Sequence, residues 1–245
     1  MNKSLYQLNE DPTWFPPPSL ALEQPPGLLA IGGDLSPQRL YNAYLNGIFP
    51  WFNEDEPILW WSPDPRAIIN IGTVRLNKTL KKFLRRCNYQ LSTNMAFEKV
   101  ITACAEPRAD NEGTWILPEM RQAYIGLHMQ NHAHSIEILN DDKLIGGLYG
   151  VLVGNCFCGE SMFSKSANAS KLALLMLERL LSNTDTAFID CQLPNPHLMN
   201  MGATLISRDV FLQKLKLATK SSVPKSLFSP KFIEWRSEIF AYDHS

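Results

Sequence analysis

The chain has 245 residues, a mass of 27.8 kDa and a formal net charge of −1 at pH 7. Hydrophobic residues make up 45% of it and charged residues 19%, as in ordinary globular proteins, and the net charge by itself indicates no class of partner. No stretch approaches the ~18 consecutive apolar residues of a membrane span, and residues 1–15 lack the apolar run of a signal peptide. Five cysteines, an odd number, do not indicate a disulfide framework. We therefore expect a reduced, cytoplasmic protein without membrane contact.

Residues 1–62 are predicted to form a small, loop-rich N-terminal domain. Six prolines between positions 12 and 26 favour extended, irregular backbone. A helix is expected next, because Ser36 suits its N-cap, Pro37 its first position and Gly47 its end. Aromatic residues and prolines then crowd together over 47–52 and 60–66.

Residues 63–230 are predicted to form a second domain of mixed α and β structure. Helix-like patterns cover 77–87, 94–105, 118–131, 169–182 and 208–218. Strand-like patterns cover 66–72, 134–139, 143–151, 152–160, 186–192 and 203–207, and turns at 140–142 and 154–155 join three of them. This order favours an α+β (mixed α/β) fold. Residues 221–245 are expected to be a loosely attached tail.

Two of these strands end in polar residues that an ordinary strand would not carry. Asp190 and Gln192 lie two apart after an apolar lead-in, so an extended strand would point both side chains to one face that begins inside the protein. A carboxylate in that position is costly unless it is paired. The segment FCGESMFS at 157–164 presents Glu160 and Met162 in the same way. We interpret these four side chains as parts of one site.

Positive charge is concentrated between positions 75 and 86, where six basic residues occur without an acid. A helix would place four of them on one face and apolar residues on the opposite face. This pattern fits either a solvated helix face or contact with a phosphate backbone, and nothing in it indicates base readout. The six residues are Arg75, Lys78, Lys81, Lys82, Arg85 and Arg86.

Other kinds of site receive little support from the sequence. Cys156, Cys158 and Cys191 lack the usual spacing of zinc ligands, and no histidine is tied to them as a base, so we expect neither a metal site nor a cysteine nucleophile. The glycines of GGLYG at 146–150 indicate a bulge or a close ligand approach, not a phosphate cradle. Four tryptophans at predicted element ends either pack the domains together or line a pocket. They are Trp51, Trp60, Trp61 and Trp115.

Eight motifs, taken in order, resemble those of the bacterial leucyl/phenylalanyl-tRNA–protein transferases. They are GGDLSPQRLYNAYLNGIFPWF (32–52), ILWWSPDPRA (58–67), EGTWI (112–116), HAHSIE (132–137), GGLYG, FCGESMFS, NASK (168–171) and IDCQ (189–192). The resemblance implies a small N-terminal domain over 1–62 and an acyl-CoA N-acyltransferase-like (GNAT-like) domain over 63–230. Residues 231–245 are expected to be a C-terminal tail, for which the resemblance supplies no counterpart.

The resemblance also implies an activity. Members of this family move Leu, Phe or less readily Met from aminoacyl-tRNA to a protein whose N-terminal residue is Arg or Lys, which marks that protein for N-degron-dependent degradation. Aminoacyl-tRNA is already an activated ester, so no cofactor is expected. The basic helix at 78–86 would face the tRNA, and a monomer is expected.

The resemblance further assigns roles to individual residues. Asp190 and Gln192 match the catalytic pair, and we expect Asp190 to orient Gln192, whose side-chain carbonyl accepts an N–H bond from the attacking amine. Glu160 or Asp190 is expected to pair with the cationic end of the acceptor. Leu177 and Leu181 stand where the family often has aromatic residues. Positions matching the pocket for the aminoacyl group and terminal adenosine are Tyr44, Trp51, Trp115, Tyr124, Phe157, Glu160, Met162, Leu174 and Ile189.

Two other functions stay open at this point. A CoA-dependent N-acetyltransferase would need a Q/R-x-x-G-x-G/A phosphate loop before its long helix, and SKSANASK at 164–171 does not supply one. A non-catalytic tRNA-binding module would need only the basic helix, and it would leave Asp190 and Gln192 unexplained.

Overall fold

The structure is a computed structural model that describes residues 4–106, 116–182, 184–185 and 187–240. Its N-terminal part contains β1 (Tyr6–Gln7), β2 (Leu28–Ile31), α1 (Pro37–Leu45), β3 (Phe49–Pro50) and β4 (Leu59–Trp61). The strands form a sheet of order β1-β2-β4-β3. As predicted, the Ser36 side chain caps α1 by accepting the Arg39 N–H, and Gly47 follows the helix with a φ of 72°.

A second sheet is built from eight described strands that begin at residue 66. They are β5 (Arg66–Asn70), β6 (Gln90–Thr93), β7 (Ala133–Asn140), β8 (Lys143–Val153), β9 (Cys156–Ser164), β10 (Phe188–Gln192), β11 (Thr204–Ile206) and β12 (Lys231–Phe232). Their order is β11-β5-β10-β9-β8-β7-β6-β12. Within this described sheet, β9 and β10 pair in parallel and the remaining neighbours are antiparallel. The sequence pattern missed β6 and β12, which are too short to show a periodicity.

Helices cover both faces of the large sheet. They are α2 (Lys78–Leu84), α3 (Phe97–Ala105), α4 (Pro118–Met129), α5 (Ala169–Leu181), α6 (Pro196–Met201), α7 (Arg208–Ala218) and α8 (Trp235–Phe240). Helices α1, α3, α4 and α7 contribute to one hydrophobic cluster, and α2, α5, α6 and α8 contribute to a second. The predicted α+β class is confirmed, although α6 and α8 were not predicted. No helix of the described ranges is long and apolar enough to cross a membrane.

Two irregularities in the large sheet shape its centre. The register of β8 against β9 shifts between Tyr149 and Gly150, so the bulge predicted for GGLYG is confirmed. A Cβ atom at Gly150 would overlap the carbonyl oxygen of Cys158, which is why glycine is needed there. The register of β10 against β5 shifts between Asp190 and Gln192, and Gln192 takes a left-handed φ of 61°.

Residues 221–240, which we call the C-terminal segment, pack closely against the large sheet. Strand β12 pairs with β6, and Phe228, Trp235 and Ile239 are buried. The indole Nε1 of Trp235 donates to the carbonyl oxygen of Tyr89 at 2.8 Å. The expectation of a loosely attached tail is therefore wrong for these residues. Its short elements carry no periodic pattern, and only the fold reveals where its three large apolar side chains pack.

Replacing Trp235 by alanine is expected to lower the free energy of unfolding by about 3–5 kcal/mol, because Trp235 is 3% exposed and the change opens a cavity. Urea denaturation monitored by circular dichroism measures this loss. Phe232→Ala is the matched control in the same segment, since Phe232 is 58% exposed and should cost no more than about 0.5 kcal/mol. Equal effects of the two substitutions would contradict the packing described here.

Candidate active site

A cavity of about 680 Å³ lies between the centre of the large sheet and helices α5 and α6. Its size falls in the range of small-molecule sites. Its walls are mainly apolar but carry several polar side chains, among them Glu160, Gln192, Asn195 and His197. The apolar wall residues include Leu148, Phe157, Met162, Phe163, Leu174, Leu177, Ile189, Leu193, Pro196 and Leu198. Such a cavity suits an apolar group that carries a reacting polar end.

Glu160 is the centre of a hydrogen-bonded chain. The Gln192 Nε2 donates to its Oε1 at 2.6 Å, and the Tyr124 hydroxyl donates to its Oε2 at 2.7 Å. The hydroxyls of Tyr44 and Tyr124 lie 2.5 Å apart. Because the Tyr124 proton goes to Glu160, Tyr44 is the donor in this pair. The chain fixes the Glu160 carboxyl from the side of helices α1 and α4.

Burial dominates the electrostatics of this chain. It raises the pKa of Glu160 to about 7, against the lowering effect of the Tyr124 and Tyr44 hydrogen bonds, and the charge of Asp190 raises it further. Burial, followed by the nearby charge of Glu160, raises the pKa of Tyr44 and of Tyr124 well above 10. Both tyrosines therefore stay protonated as donors, whereas Glu160 changes its charge near neutral pH.

Gln192 reaches the cavity through the irregular end of β10. Its backbone N–H donates to the Asp190 Oδ1 at 2.9 Å, which holds the left-handed conformation in place. Since its Nε2 is bound to Glu160, its Oε1 is left to face a ligand, and the described residues supply no hydrogen bond to that oxygen. The side-chain amide is thus tethered by its nitrogen and offers its oxygen as an acceptor.

Asp190 lies behind the cavity in a buried ion pair with Arg66. The Arg66 Nε donates to Oδ1 at 2.8 Å and its Nη2 to Oδ2 at 2.7 Å, and neither side chain is more than 1% exposed. The guanidinium also lies 4.9 Å from the Phe49 ring centre and 4.4 Å from that of Phe211. The expected pairing of this carboxylate is therefore confirmed. The predicted shared orientation of Asp190 and Gln192 is wrong, because the bulge turns only Gln192 into the cavity.

The structure brings most of the predicted residues together, in two layers. Tyr44, Tyr124 and Asp190 lie behind the cavity and act on its polar members. Trp51 is 40% exposed and does not line the cavity, and Trp115 lies outside the described residues. Leu177 lines the cavity, whereas Leu181 is buried elsewhere. The predicted residues that line it are Phe157, Glu160, Met162, Leu174, Ile189 and Gln192.

Comparisons with known proteins decide the family of this chain. The family model for the leucyl/phenylalanyl-tRNA protein transferase matches residues 68–216, and that for its N-terminal domain matches residues 33–64. A leucyl/phenylalanyl-tRNA–protein transferase of Shewanella pealeana is 54% identical over 212 residues, which cover 86% of this chain and 90% of the relative. The chain belongs to the leucyl/phenylalanyl-tRNA–protein transferase family.

Two further relatives match almost the whole chain. The leucyl/phenylalanyl-tRNA–protein transferase of Colwellia psychrerythraea is 49% identical over 236 residues, covering 94% of this chain and 98% of the relative. That of Pseudoalteromonas atlantica is 51% identical over 227 residues, covering 93% and 97%. Membership of the transferase family therefore applies to both the N-terminal part and the large sheet.

The basic residues of this transferase family member lie on the exposed side of a short helix. Leu80 and Leu84 of α2 are buried, while Arg75, Lys78, Lys82, Arg85 and Arg86 are exposed and Lys81 is half-buried. The backbone N–H of Arg75 donates to the carbonyl oxygen of Met201 at the end of α6 at 2.9 Å. The start of the basic segment is thus tied to the helix that borders the cavity.

Among the residues that the structure describes, the cysteines of this family member form neither a disulfide nor a metal-binding cluster. None of the five forms a disulfide, and the thiols of Cys156 and Cys158 lie 3.9 Å apart in the buried core beside the Arg66–Asp190 pair. In the part of the chain that the structure describes, no group of three or more His, Cys, Asp and Glu side chains could hold a metal ion. Burial raises the pKa of the Cys191 thiol well above its usual range, so this thiol stays protonated and does not take the reactive thiolate form.

Arg66 is the site residue that the sequence analysis did not identify. It ends the WWSPDPR motif, but it lies 124 positions from Asp190, and no local pattern links the two. The sequence predicted a buried carboxylate at Asp190, which needs a cationic partner, but it did not indicate which residue provides the cation. The pairing of strand β5 with strand β10 brings Arg66 next to Asp190.

Asp190→Ala is expected to lower the free energy of unfolding by about 3–5 kcal/mol, because it leaves the buried Arg66 guanidinium without its carboxylate. Adding Arg66→Met to this variant should restore part of the loss. Chemical denaturation of both variants measures these changes. Glu106→Ala, which breaks an exposed ion pair with Lys165, serves as the control and should cost less than about 1 kcal/mol. A small loss for Asp190→Ala would refute the structural role of the pair.

The free energy of unfolding of Glu160→Gln, compared with that of the wild type, is expected to increase as the pH rises from about 4.5 to about 7. Over that range the folded wild type holds a proton on Glu160 that the unfolded chain has released, so its stability falls with rising pH and reaches its lower level above about 7. The neutral glutamine lacks this dependence. Thermal unfolding at pH 5 and pH 8 gives the comparison, with exposed Glu98→Gln as control. A difference between Glu160→Gln and the wild type that stays constant with pH argues against a buried, ionising Glu160.

Proposed function

We propose that this chain transfers an aminoacyl group from aminoacyl-tRNA to the N-terminal amine of a protein, with Leu and Phe as main donors and Met less readily used. The observation that carries the proposal is the apolar cavity with Glu160 and Gln192 in its wall, in a member of this family. The proposed acceptors begin with Arg or Lys, and the modification would mark them for N-degron-dependent degradation. A cytoplasmic location and a monomeric state remain predictions.

The reaction needs orientation more than activation. The ester bond between the aminoacyl carbonyl carbon and the tRNA ribose oxygen breaks, and a bond from that carbon to the acceptor nitrogen forms. The amine loses one proton and the ribose oxygen gains one, so the balance closes without a cofactor. Holding the amine about 3 Å from the carbonyl carbon is the main requirement.

Gln192 is placed to orient the amine. Its tethered amide nitrogen leaves Oε1 to accept an N–H bond, which directs the lone pair of the amine at the carbonyl carbon. Asp190 acts through the backbone N–H of Gln192 and not through its side chain. It is therefore a positioning residue.

Glu160 is the acid that supports recognition of a cationic acceptor. Asp190 has both oxygens bound to Arg66 and does not line the cavity, so Glu160 and not Asp190 is the acid available to the acceptor. Glu160 is half-buried and lines the cavity, and each of its oxygens keeps one lone pair. An arriving ammonium or guanidinium group would favour its ionised form.

The apolar walls explain a tolerance for several donors. Phe157, Met162 and Leu174 offer shape and apolar contact but no hydrogen bond to a side chain. Such a cavity separates related apolar side chains by only ~1–3 kcal/mol. Leu177, whose side chain is smaller than an aromatic one, also lines the cavity and leaves room for a large donor side chain.

One assay separates this function from its alternatives. The purified protein is mixed with labelled Phe-tRNA and an Arg-initiated peptide, with and without acetyl-CoA. Label on the peptide without acetyl-CoA supports aminoacyl transfer, whereas acetylation only with acetyl-CoA supports an acetyltransferase. Binding of tRNA with no transfer supports a binding module.

Gln192→Ala is expected to lower the single-turnover rate of transfer ~10²-fold or more, since the oxygen that orients the amine is lost. Gln192→Glu, which keeps an oxygen in place, should retain an appreciable rate. Asp190→Ala should fall like Gln192→Ala, because Gln192 then loses its backbone anchor. Rapid-quench measurements at saturating Phe-tRNA test this, and a near-normal rate for Gln192→Ala would end the proposed role.

A further inference from the structure

The C-terminal segment brings additional positive charge to the region of the basic helix. Together with the adjacent Lys220, the segment carries four basic residues and two acids, Glu234 and Glu238. All four basic side chains are exposed. They are Lys220, Lys225, Lys231 and Arg236.

Direct contacts join this segment to the end of the basic helix. The Arg236 Nη2 donates to the carbonyl oxygen of Cys87, which directly follows Arg86. The guanidinium of Arg85 lies 5.4 Å from the ring centre of Phe240. Trp235 and Ile239 share a hydrophobic cluster with the buried leucines of α2. Arg236 and the end of the basic helix therefore belong to one surface.

This surface lies on the same side of the sheet as the cavity. Helices α2 and α8 share their hydrophobic cluster with α5 and α6, which border the cavity. In the edge strand β12, which borders this region, the side chains of Lys231 and Phe232 are both exposed.

We propose that the C-terminal segment forms part of the tRNA-binding surface, with Lys231 and Arg236 contacting phosphates next to the basic helix. This inference rests on the proposed function, because that function makes tRNA the ligand. The segment lies outside the residues that the family models match, which end at 216. A donor whose aminoacyl end enters the cavity would lay its backbone over both elements.

Neutralising this surface tests the inference. The variant Lys231→Gln/Arg236→Gln removes two charges, and Lys231→Arg/Arg236→Lys keeps both. The matched control Lys99→Gln/Lys216→Gln removes two exposed charges from α3 and α7, on the opposite face of the sheet. Binding of uncharged tRNA is measured at several salt concentrations, and transfer is measured with Phe-tRNA and with a short 3′-phenylalanyl-adenosine donor.

The neutralised variant should bind tRNA more weakly, and the slope of log K against log salt should become shallower by about 1 for each lost phosphate contact. The charge-keeping and opposite-face variants should bind like the wild type, and transfer from the short donor should be unchanged in all of them. A wild-type slope in the neutralised variant would overturn the inference, as would an equal loss with the short donor, which indicates a folding defect. Absence of transfer by the wild type would instead refute the proposed function, while the salt slopes would still decide whether this surface binds tRNA.

Discussion

The buried pair of Arg66 and Asp190 is the interaction on which the site depends. Two charges withdrawn from water are costly unless each is fully satisfied. Here the guanidinium binds both carboxylate oxygens and the Gly47 carbonyl oxygen, and aromatic rings lie beside it. Because Asp190 also accepts the backbone N–H of Gln192, the pair fixes the turn that aims Gln192 into the cavity. The Arg66–Asp190 pair thus stabilises the pairing of β5 with β10, the backbone conformation of Gln192 and the position of the Gln192 Oε1.

Residues of the N-terminal part form hydrogen bonds that help to build the site. Tyr44 of α1 and the carbonyl of Gly47 act on Glu160 and Arg66 from that side of the molecule. These groups do not touch the cavity, but they set the orientation and charge of groups that line it. Hydrogen bonds are directional, so they hold the polar atoms of the site in place. Apolar contact is non-directional, so the cavity walls accept several donor side chains.

The sheet separates a polar network on one face from the apolar cavity on the other, and its two irregularities connect them. The bulge at Tyr149–Gly150 lies opposite Glu160, whose carboxyl meets the tyrosines of one face and Gln192 at the cavity. A regular strand would alternate its side chains strictly between the faces. A bulge breaks that alternation at one point, so that residues of both faces meet.

The sequence by itself determined the α+β class, most helices and strands, the cap of α1, and, through the family motifs, six of the residues that line the cavity. These features are carried by neighbouring residues, and local periodicity and turn chemistry report them directly. Only the tertiary structure decided that Arg66 pairs with Asp190 across 124 positions, that Gln192 turns away from its strand, and that the C-terminal segment packs beside the basic helix. Each of these depends on which strands lie side by side and in which register. That choice is made by the packing of the whole core, and it leaves no mark in any short stretch of sequence.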